Sequence, residues 1–178
     1  MPIGPLMIEH RLIERMIALL KKESVNIRST GQFNVKFVLS AIDFIQTYAD
    51  RCHHGKEEDI LFRALKKKEL SLEHARILRE LLEEHAYARQ VVGDLIAAQE
   101  RYVKGDKTTV DEVARLMDML VELYPKHIEK EDKHFFIPCM AYFTKEEQEN
   151  MLAESYEFDR KIIHEKYGKV VRQLEEGR

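Results

Sequence analysis

Residues 53–62, HHGKEEDILF, and residues 127–136, HIEKEDKHFF, are nearly the same phrase written twice in one chain. Each reads His-x-x-Lys-Glu-acid and is followed, after two further residues, by a bulky apolar pair. The repeat concerns ionisable side chains as much as apolar ones, which indicates a chemical purpose as well as a packing one. It divides the chain into two similar halves, and the rest of the sequence is arranged around it.

The composition favours a single domain built from long helices. The chain has 178 residues, of which 44% are hydrophobic and 34% are charged, as amphipathic helices require. It has only 7 glycines and 4 prolines, so turns are few and the elements between them are long. A formal net charge of -3 gives no reason to expect binding to nucleic acid or to an anionic membrane.

Other features of the sequence favour a cytoplasmic protein. No apolar stretch approaches the roughly 18 residues of a membrane span. The first residues, MPIGPLMIEHR, lack the basic start and apolar core of a secretory signal. Cys52 and Cys139 have no metal-like spacing and fit a reducing compartment, with a disulfide between them as the less favoured alternative.

Apolar residues recur at helical spacing almost throughout, which predicts an all-α fold. Short connections predict an up-down-up-down four-helix bundle over about residues 5–140, with an additional C-terminal helix over about 144–174 in one domain spanning 1–178. Capping boxes at Thr109-x-x-Glu112 and Thr144-x-x-Glu147 open the last two helices, and Pro125 should kink the fourth. The predicted helices are 5–23, 33–67, 72–103, 109–136 and 144–174.

Helical phase selects one histidine of the first phrase as the inward-facing one. Adjacent residues of an α-helix point about 100° apart, so only one of two neighbouring histidines can face the bundle axis. His53 shares its stripe with apolar residues such as Ile45, whereas His54 shares its stripe with Asp50. We therefore expect His53 and Glu57 to face the core and His54 to lie on the rim.

The second phrase gives the same answer. His127 shares its stripe with Leu116 and Leu120, and Glu131 lies one turn further on. A single His–Glu pair one turn apart is more often a hydrogen-bonded core histidine or a simple side-chain contact than a ligand pair. Two such pairs, each placing a carboxylate in an apolar core where an unpaired charge is costly, favour a metal site.

An earlier Glu-His pair in each half extends the repeat. The histidine of the pair at 9–10 lies 43 residues before His53, and that of the pair at 84–85 lies 42 residues before His127. At about 1.5 Å per residue, all four histidines fall at one level of the bundle. Four imidazoles and two carboxylates in an apolar core indicate two cations bridged by the carboxylates. The candidate metal ligands are His10, His53, Glu57, His85, His127 and Glu131.

The chain resembles the hemerythrin-like, or HHE cation-binding, domain family in four stretches that occur in the family's order and spacing. These are EHRLIERM, HHGKEEDILF, EEHAYAR and YPKHIEKED. The resemblance covers about residues 5–140 and implies a four-helix bundle that holds a non-haem di-iron centre. It also implies two iron ions with a bridging oxo or hydroxo group, held by the six side chains named above.

The sequence departs from the oxygen-carrying hemerythrins at two positions. Those proteins have a second histidine one turn after the ligand of the third helix, where this chain has Arg89, so one iron lacks a usual ligand. The alternatives for that place are water and the side chains of His54, His134, His164 and Tyr124. Those proteins also space the carboxylate of the fourth helix one residue further on, at Asp132, but Glu131 keeps phase with His127 and is preferred.

The remaining histidines and the last helix are expected to be structural. His74 lies too far from His85 to share the metals, His134 is expected to pack in the core, and His164 is expected to be structural or exposed. Apolar and aromatic residues of the last helix should pack on the bundle. They are Tyr156, Phe158, Ile162 and Tyr167.

The resemblance implies that the reduced iron pair binds O2, NO or peroxide, for sensing, detoxification or iron–sulfur repair. The arginine at position 89 argues mildly against a dedicated oxygen carrier. Two alternatives stay open: a metal-dependent regulatory or iron-sensing bundle, and a di-iron oxidase or peroxidase-type enzyme. The ferritin-like enzymes use two Glu-x-x-His motifs, and only Glu131-x-x-His134 fits here. Whether the protein is an enzyme, and which protein partner it has, stay open.

Overall fold

The computed structural model describes the backbone of residues 1–176 and the side chains of residues 1–162. That part of the chain forms five helices and no β-strand. They are α1 (Ile3–Thr30), α2 (residues 35–65), α3 (Leu72–Val103), α4 (residues 110–139) and α5 (Lys145–Glu176). The all-α bundle with an extra C-terminal helix is therefore confirmed. No helix within the described residues is long and apolar enough to cross a membrane.

The helix ends follow local capping chemistry, which moves several predicted bounds. α1 continues seven residues past its predicted end and stops at Gly31, whose φ of 67° suits a residue without a side chain. Asn34 caps α2 by accepting a hydrogen bond from the Phe37 amide. The box at Thr144 forms as predicted, since its hydroxyl accepts from the Glu147 amide. The box at Thr109 does not form, because a short 3-10 turn, Lys107–Thr109, precedes α4.

Two helices change their hydrogen-bonding pattern at the repeated phrases. α2 begins as an α-helix over Val35–Phe44, widens into π-helical turns over Ile45–His54 and Glu57–Phe62, and ends as α-helix over Arg63–Leu65. α4 is α-helical over Val110–Lys130, including Pro125, and π-helical over Glu131–Phe135. Wide turns of this kind are rare and occur mostly at functional sites.

Two apolar clusters fill the bundle and leave a polar layer between them. One cluster contains Ile13, Ile45 and Leu120, and the other contains Leu6 and Phe135, each together with many neighbours. Along each of the first four helices, the repeated histidines fall between residues of the first cluster and residues of the second. The core therefore isolates the histidine layer from solvent at both ends.

α5 packs along the outside of α2 at the level of the first phrase. Phe158 lies over Gly55, where an added Cβ would come within 2.8 Å of the tip of the phenyl ring. Arg63 and Glu154 add a two-pronged ion pair with distances of 2.7 and 2.8 Å. Tyr156 is 61% exposed, so the expectation that it packs on the bundle is wrong. The side chains of His164 and Tyr167 lie outside the described residues.

We expect Gly55→Ala to destabilise the protein by about 1 kcal/mol, because the new methyl group displaces the Phe158 ring from its seat. A glycine inside a helix normally gains stability on this change, by up to about 1 kcal/mol. Gly93→Ala in α3, where nothing lies within 4 Å of the added carbon, is the matched control and should stabilise. Urea unfolding of both variants measures the difference. A stabilising Gly55→Ala would show that Phe158 does not hold this position.

Candidate metal centre

Seven buried side chains converge between the two apolar clusters, five of them histidines and two of them glutamates. They form two groups that share Glu57, and in each group the possible ligand atoms all lie within 4.8 Å of one another. The first group is His10, His53, Glu57 and Glu131. The second group is His54, Glu57, His85 and His127. The structure thus brings together all six candidate ligands from the sequence and adds His54.

The prediction that His54 lies on the rim is wrong. Its side chain is 1% exposed and its ring stacks on that of His85, with the ring centroids 3.8 Å apart. The phase argument assumed an α-helix, but the Gly55 amide bonds back five residues to the Asp50 carbonyl, as in a π-helix. A wider turn reduces the angle between successive residues, so His53 and His54 both face the interior.

Each histidine of the site turns its Nδ1 atom outward to a carboxylate. His53 meets Glu9 at 2.9 Å and His10 meets Asp132 at 2.8 Å. The remaining three contacts follow the same rule. They join His85 to Glu58 at 2.8 Å, His127 to Glu84 at 2.8 Å, and His54 to Asp50 at 3.4 Å. When a carboxylate accepts the Nδ1 proton, the Nε2 lone pair is left free and aimed inward, which is how proteins orient imidazole ligands.

These contacts connect the two halves of the chain in a crossed pattern. Glu9 and Glu84 each hold the histidine of the phrase in their own half. Glu58 and Asp132, the acid that follows the shared Lys-Glu of each phrase, hold a histidine of the opposite half. Asp132 therefore acts from outside the cluster, whereas Glu131 is fully buried within it.

The two inward glutamates are buried carboxylates without hydrogen bonds. Both oxygens of Glu57 and both of Glu131 are inaccessible and lack a hydrogen-bond partner, although His10 Nε2 approaches Glu131 to 3.1 Å. Burial and the adjacent Glu131 raise the pKa of Glu57 well above its ordinary value. Burial acts in the same direction on Glu131, but the neighbouring His127 and His10 outweigh it and hold its pKa low.

The Nε2 atoms of the histidines are arranged for a bound cation rather than for hydrogen bonds with one another. The Nε2 atoms of His85 and His127 face each other at 3.2 Å, and those of His10, His53 and His54 are buried without a hydrogen-bond partner. Two neutral imidazoles that donate from Nδ1 both present a lone pair across such a gap, and a cation between them removes the repulsion.

Burial favours the neutral form of His53 and His54, whereas Glu131 and Asp132 raise the pKa of His10 in spite of its burial. Burial lowers the pKa of His53 to about 4, in spite of the hydrogen bond to Glu9. The pKa of His54 falls well below its ordinary value because of burial and the nearby His85 and His127. Neutral imidazole is the form that binds metals, so this environment prepares the donor atoms before any ion arrives.

The other residues considered for the site lie elsewhere. Arg89 pairs with Asp50 at 2.7 Å and with Glu58 at 2.6 Å, on the outer side of the ring of carboxylates. His134 is exposed, so its expected core packing is wrong. The Nδ1 atom of His74 lies 2.8 Å from the Tyr142 hydroxyl, near the turn between α2 and α3.

A small cavity of about 90 Å³ lies beside the cluster. Tyr124 forms part of its wall, and the hydroxyl of that residue is buried without a hydrogen-bond partner. Arg89 and Asp50 are also in the wall, and the remaining lining is mostly apolar. The complete lining is Ile45, Gln46, Asp50, His54, Ala88, Arg89, Val92 and Tyr124.

A helical bundle whose core holds five imidazoles and two carboxylates belongs to the class of cation-binding four-helix proteins. The family model described as "Hemerythrin HHE cation binding domain" matches residues 1–136 and, in an overlapping match, residues 76–176. The chain belongs to the hemerythrin HHE cation-binding family. Comparisons with curated proteins and with solved structures gave no significant match.

We expect Glu57→Gln to stabilise the metal-free protein at pH 8, because the raised pKa of Glu57 reflects a carboxyl group that is costly to ionise in the folded state. The raised pKa means that the metal-free fold loses stability as pH rises through the folded-state pKa of Glu57. The amide cannot ionise and removes that loss. Urea unfolding of chelated protein at pH 6 and pH 8 tests this, with the exposed Glu122→Gln as control. Equal pH dependence in Glu57→Gln and Glu122→Gln would contradict it.

Proposed function

We propose that the protein holds two iron ions in its core and uses them to bind a small ligand of the size of O2 or NO. The observation that carries the proposal is the group of buried imidazole and carboxylate donor atoms that lack hydrogen-bond partners. The proposed ligands are His10, His53, His54, Glu57, His85, His127 and Glu131. A buried set of this kind is costly without positive charge between its members.

The division of the donors supports two ions rather than one. Glu57 belongs to both groups and Glu131 lies beside it, which supports these two carboxylates as the ligands that two ions would share. His54, His85 and His127 then serve one ion, while His10 and His53 serve the other. Imidazole together with shared carboxylate favours iron or manganese, and the resemblance to the hemerythrins implies iron.

His54 would supply the imidazole ligand that is missing at position 89. The oxygen-carrying relatives draw their extra imidazole from the third helix, and we infer that this chain draws it from the second. Arg89 instead joins Asp50 to Glu58, the carboxylates that face His54 and His85. The arginine therefore fixes the orientation of two ligands without touching the metals.

When bound, an iron pair supplies electrons and open coordination positions to a small ligand. The protein contributes orientation and exclusion of water: carboxylates hold the imidazoles, and apolar clusters close both ends of the site. The ion served by His10 and His53 would have one imidazole fewer, whereas the cavity lies on the side of the other ion, beside His54. A cavity of about 90 Å³ suits diatomic molecules, whereas organic ligands usually occupy about 300 Å³ or more.

The oxidase alternative loses its structural support. Ferritin-like chemistry would need His134 next to Glu131 in the core, and His134 is exposed. The regulatory alternative has one observation in its favour: Asp159 of α5 reaches a buried lysine that contacts Glu9 at the edge of the site. A regulatory use would still need the same metals.

Iron content and gas binding test the proposal directly. The protein should contain two irons per chain, and its visible spectrum should change on reduction and again on exposure of the reduced form to O2 or NO. Removal of iron by a chelator should lower the unfolding temperature, because binding to the native state alone stabilises it. One zinc per chain, or an anaerobic preparation without metal, would refute the iron pair.

His54→Ala tests the extra ligand and reverses the expectation from helical phase. It should reduce iron to fewer than two per chain and weaken binding by more than the roughly 10–100-fold that loss of an orienting partner costs. His134→Ala, which changes an exposed histidine three residues after Glu131, is the control and should retain both irons. Equal iron in the two variants would make His54 a packing residue.

A further inference from the structure

Among the side chains of residues 1–162, the lysine of the first phrase is the most deeply buried charged group outside the proposed ligand set. Lys56 is 1% exposed and its ammonium contacts two carboxylates, that of Glu9 and that of Asp159, the latter at 2.7 Å. Burial alone would lower the pKa of Lys56, but the hydrogen bonds to Asp159 and Glu9 more than offset it and raise the pKa. The two carboxylates therefore balance the charge of the buried ammonium group.

This cation is connected to one imidazole of the site. Glu9 contacts Lys56 through one carboxylate oxygen and His53 through the other, at 2.9 Å from Nδ1. A path of three contacts thus runs from Asp159 on α5, through Lys56 and Glu9, to His53. Because His53 belongs to the proposed ligand set, the inference below rests on the proposed function.

The second phrase repeats the arrangement with one difference. Lys130 contacts Glu84 at 2.6 Å, and Glu84 in turn contacts His127. Its second carboxylate is Glu80 at 3.1 Å, on α3, and Lys130 is 23% exposed. The lysine of the repeated phrase therefore serves the same partner in both halves. In the first half α5 covers the lysine. The second half has no equivalent of α5 among the residues that the structure describes.

The covered lysine also rules out a third cation there. Glu9, Cys52 and Asp159 place possible ligand atoms close together, and the Cys52 thiol lies 3.1 Å from Asp159. The ammonium group of Lys56 contacts both carboxylates and takes the position that a metal would occupy. The cluster is an ion-pair network and not a metal site.

The charges of Lys56 and Asp159 have opposite effects on the electron density of the His53 imidazole. Lys56 neutralises Glu9 and so reduces the pull of that carboxylate on the Nδ1 proton of His53. Asp159 also binds Lys56, which weakens the ion pair between Lys56 and Glu9. The attraction of Glu9 for the Nδ1 proton of His53 is thereby partly restored. A stronger pull makes the imidazole a more electron-rich ligand, which favours the oxidised metal. These effects are large inside a protein because the interior screens charge poorly.

We propose that Lys56 is a positioning residue for the metal centre, which sets the reduction potential of the ion served by His10 and His53 through Glu9. Asp159 of α5 opposes it. The last helix is thereby part of the electrostatic environment of the centre, and displacement of α5 changes the potential as well as the packing.

Reduction potentials of the iron-loaded full-length protein, measured by anaerobic titration with visible absorption, test the proposal. Lys56→Met should shift the potential to more negative values, and Asp159→Asn should shift it to more positive values. The second shift should be smaller, because Asp159 is partly exposed and water screens it. Lys130→Met should give a negative shift smaller than that of Lys56→Met. A purely structural role would give no such opposition of sign.

Glu154→Gln is the matched control for α5. It also removes a carboxylate of α5 that binds a cation of α2, namely Arg63, but neither side chain contacts a histidine of the site. It should leave the potential unchanged. If Lys56→Met does not fold, the pair Asp159→Asn and Glu154→Gln decides the question.

The outcomes separate the two proposals. Two irons per chain, with shifts of the same sign in Lys56→Met and Asp159→Asn or with no shift in Asp159→Asn, would overturn this inference and leave the proposed function standing. A wild-type protein without iron would overturn both.

Discussion

The structure depends on two carboxylates that lie side by side in an apolar core. Glu57 and Glu131 are fully buried and have no hydrogen-bond partner, and each such charge costs several kcal/mol unless it is compensated. The inward imidazoles, the outer carboxylates that orient them and the lysines that balance those carboxylates form successive layers around this pair. The apolar clusters on either side exclude the water that would otherwise relieve the cost.

These layers account for the four ionisable positions of the shared pattern His-x-x-Lys-Glu-acid. The histidine points inward, the lysine balances the glutamate that holds that histidine, the glutamate joins the central pair, and the final acid crosses to the other half. His54 breaks the repeat, since the equivalent position in the second phrase is the buried Ile128. The second phrase thus adds an apolar contact where the first adds an imidazole.

The sequence was sufficient to predict the bundle, the third helix at its true bounds and six of the seven residues that converge. Apolar periodicity and the spacing of the repeat carry that information directly. It was not sufficient to place His54, because its orientation depends on π-helical turns, which leave no periodic signal in the sequence. Because Arg89 stands where the oxygen carriers have a histidine ligand, the sequence did make His54 one of several candidates for that ligand. The orienting acids were visible as Glu-His and Glu-acid doublets, but their contacts join residues from different helices and required the fold.

The crossed carboxylates have a consequence for how such a site arises. Each hairpin supplies an acid that orients a histidine of the other, through Glu58 and Asp132, so neither hairpin can complete its own imidazole geometry. Two identical copies of one hairpin, associated about a two-fold axis, would nevertheless satisfy every such contact. Each half of the chain therefore contributes one member of each type of contact, and because the halves are separate stretches of sequence they can differ, as they do at positions 54 and 128.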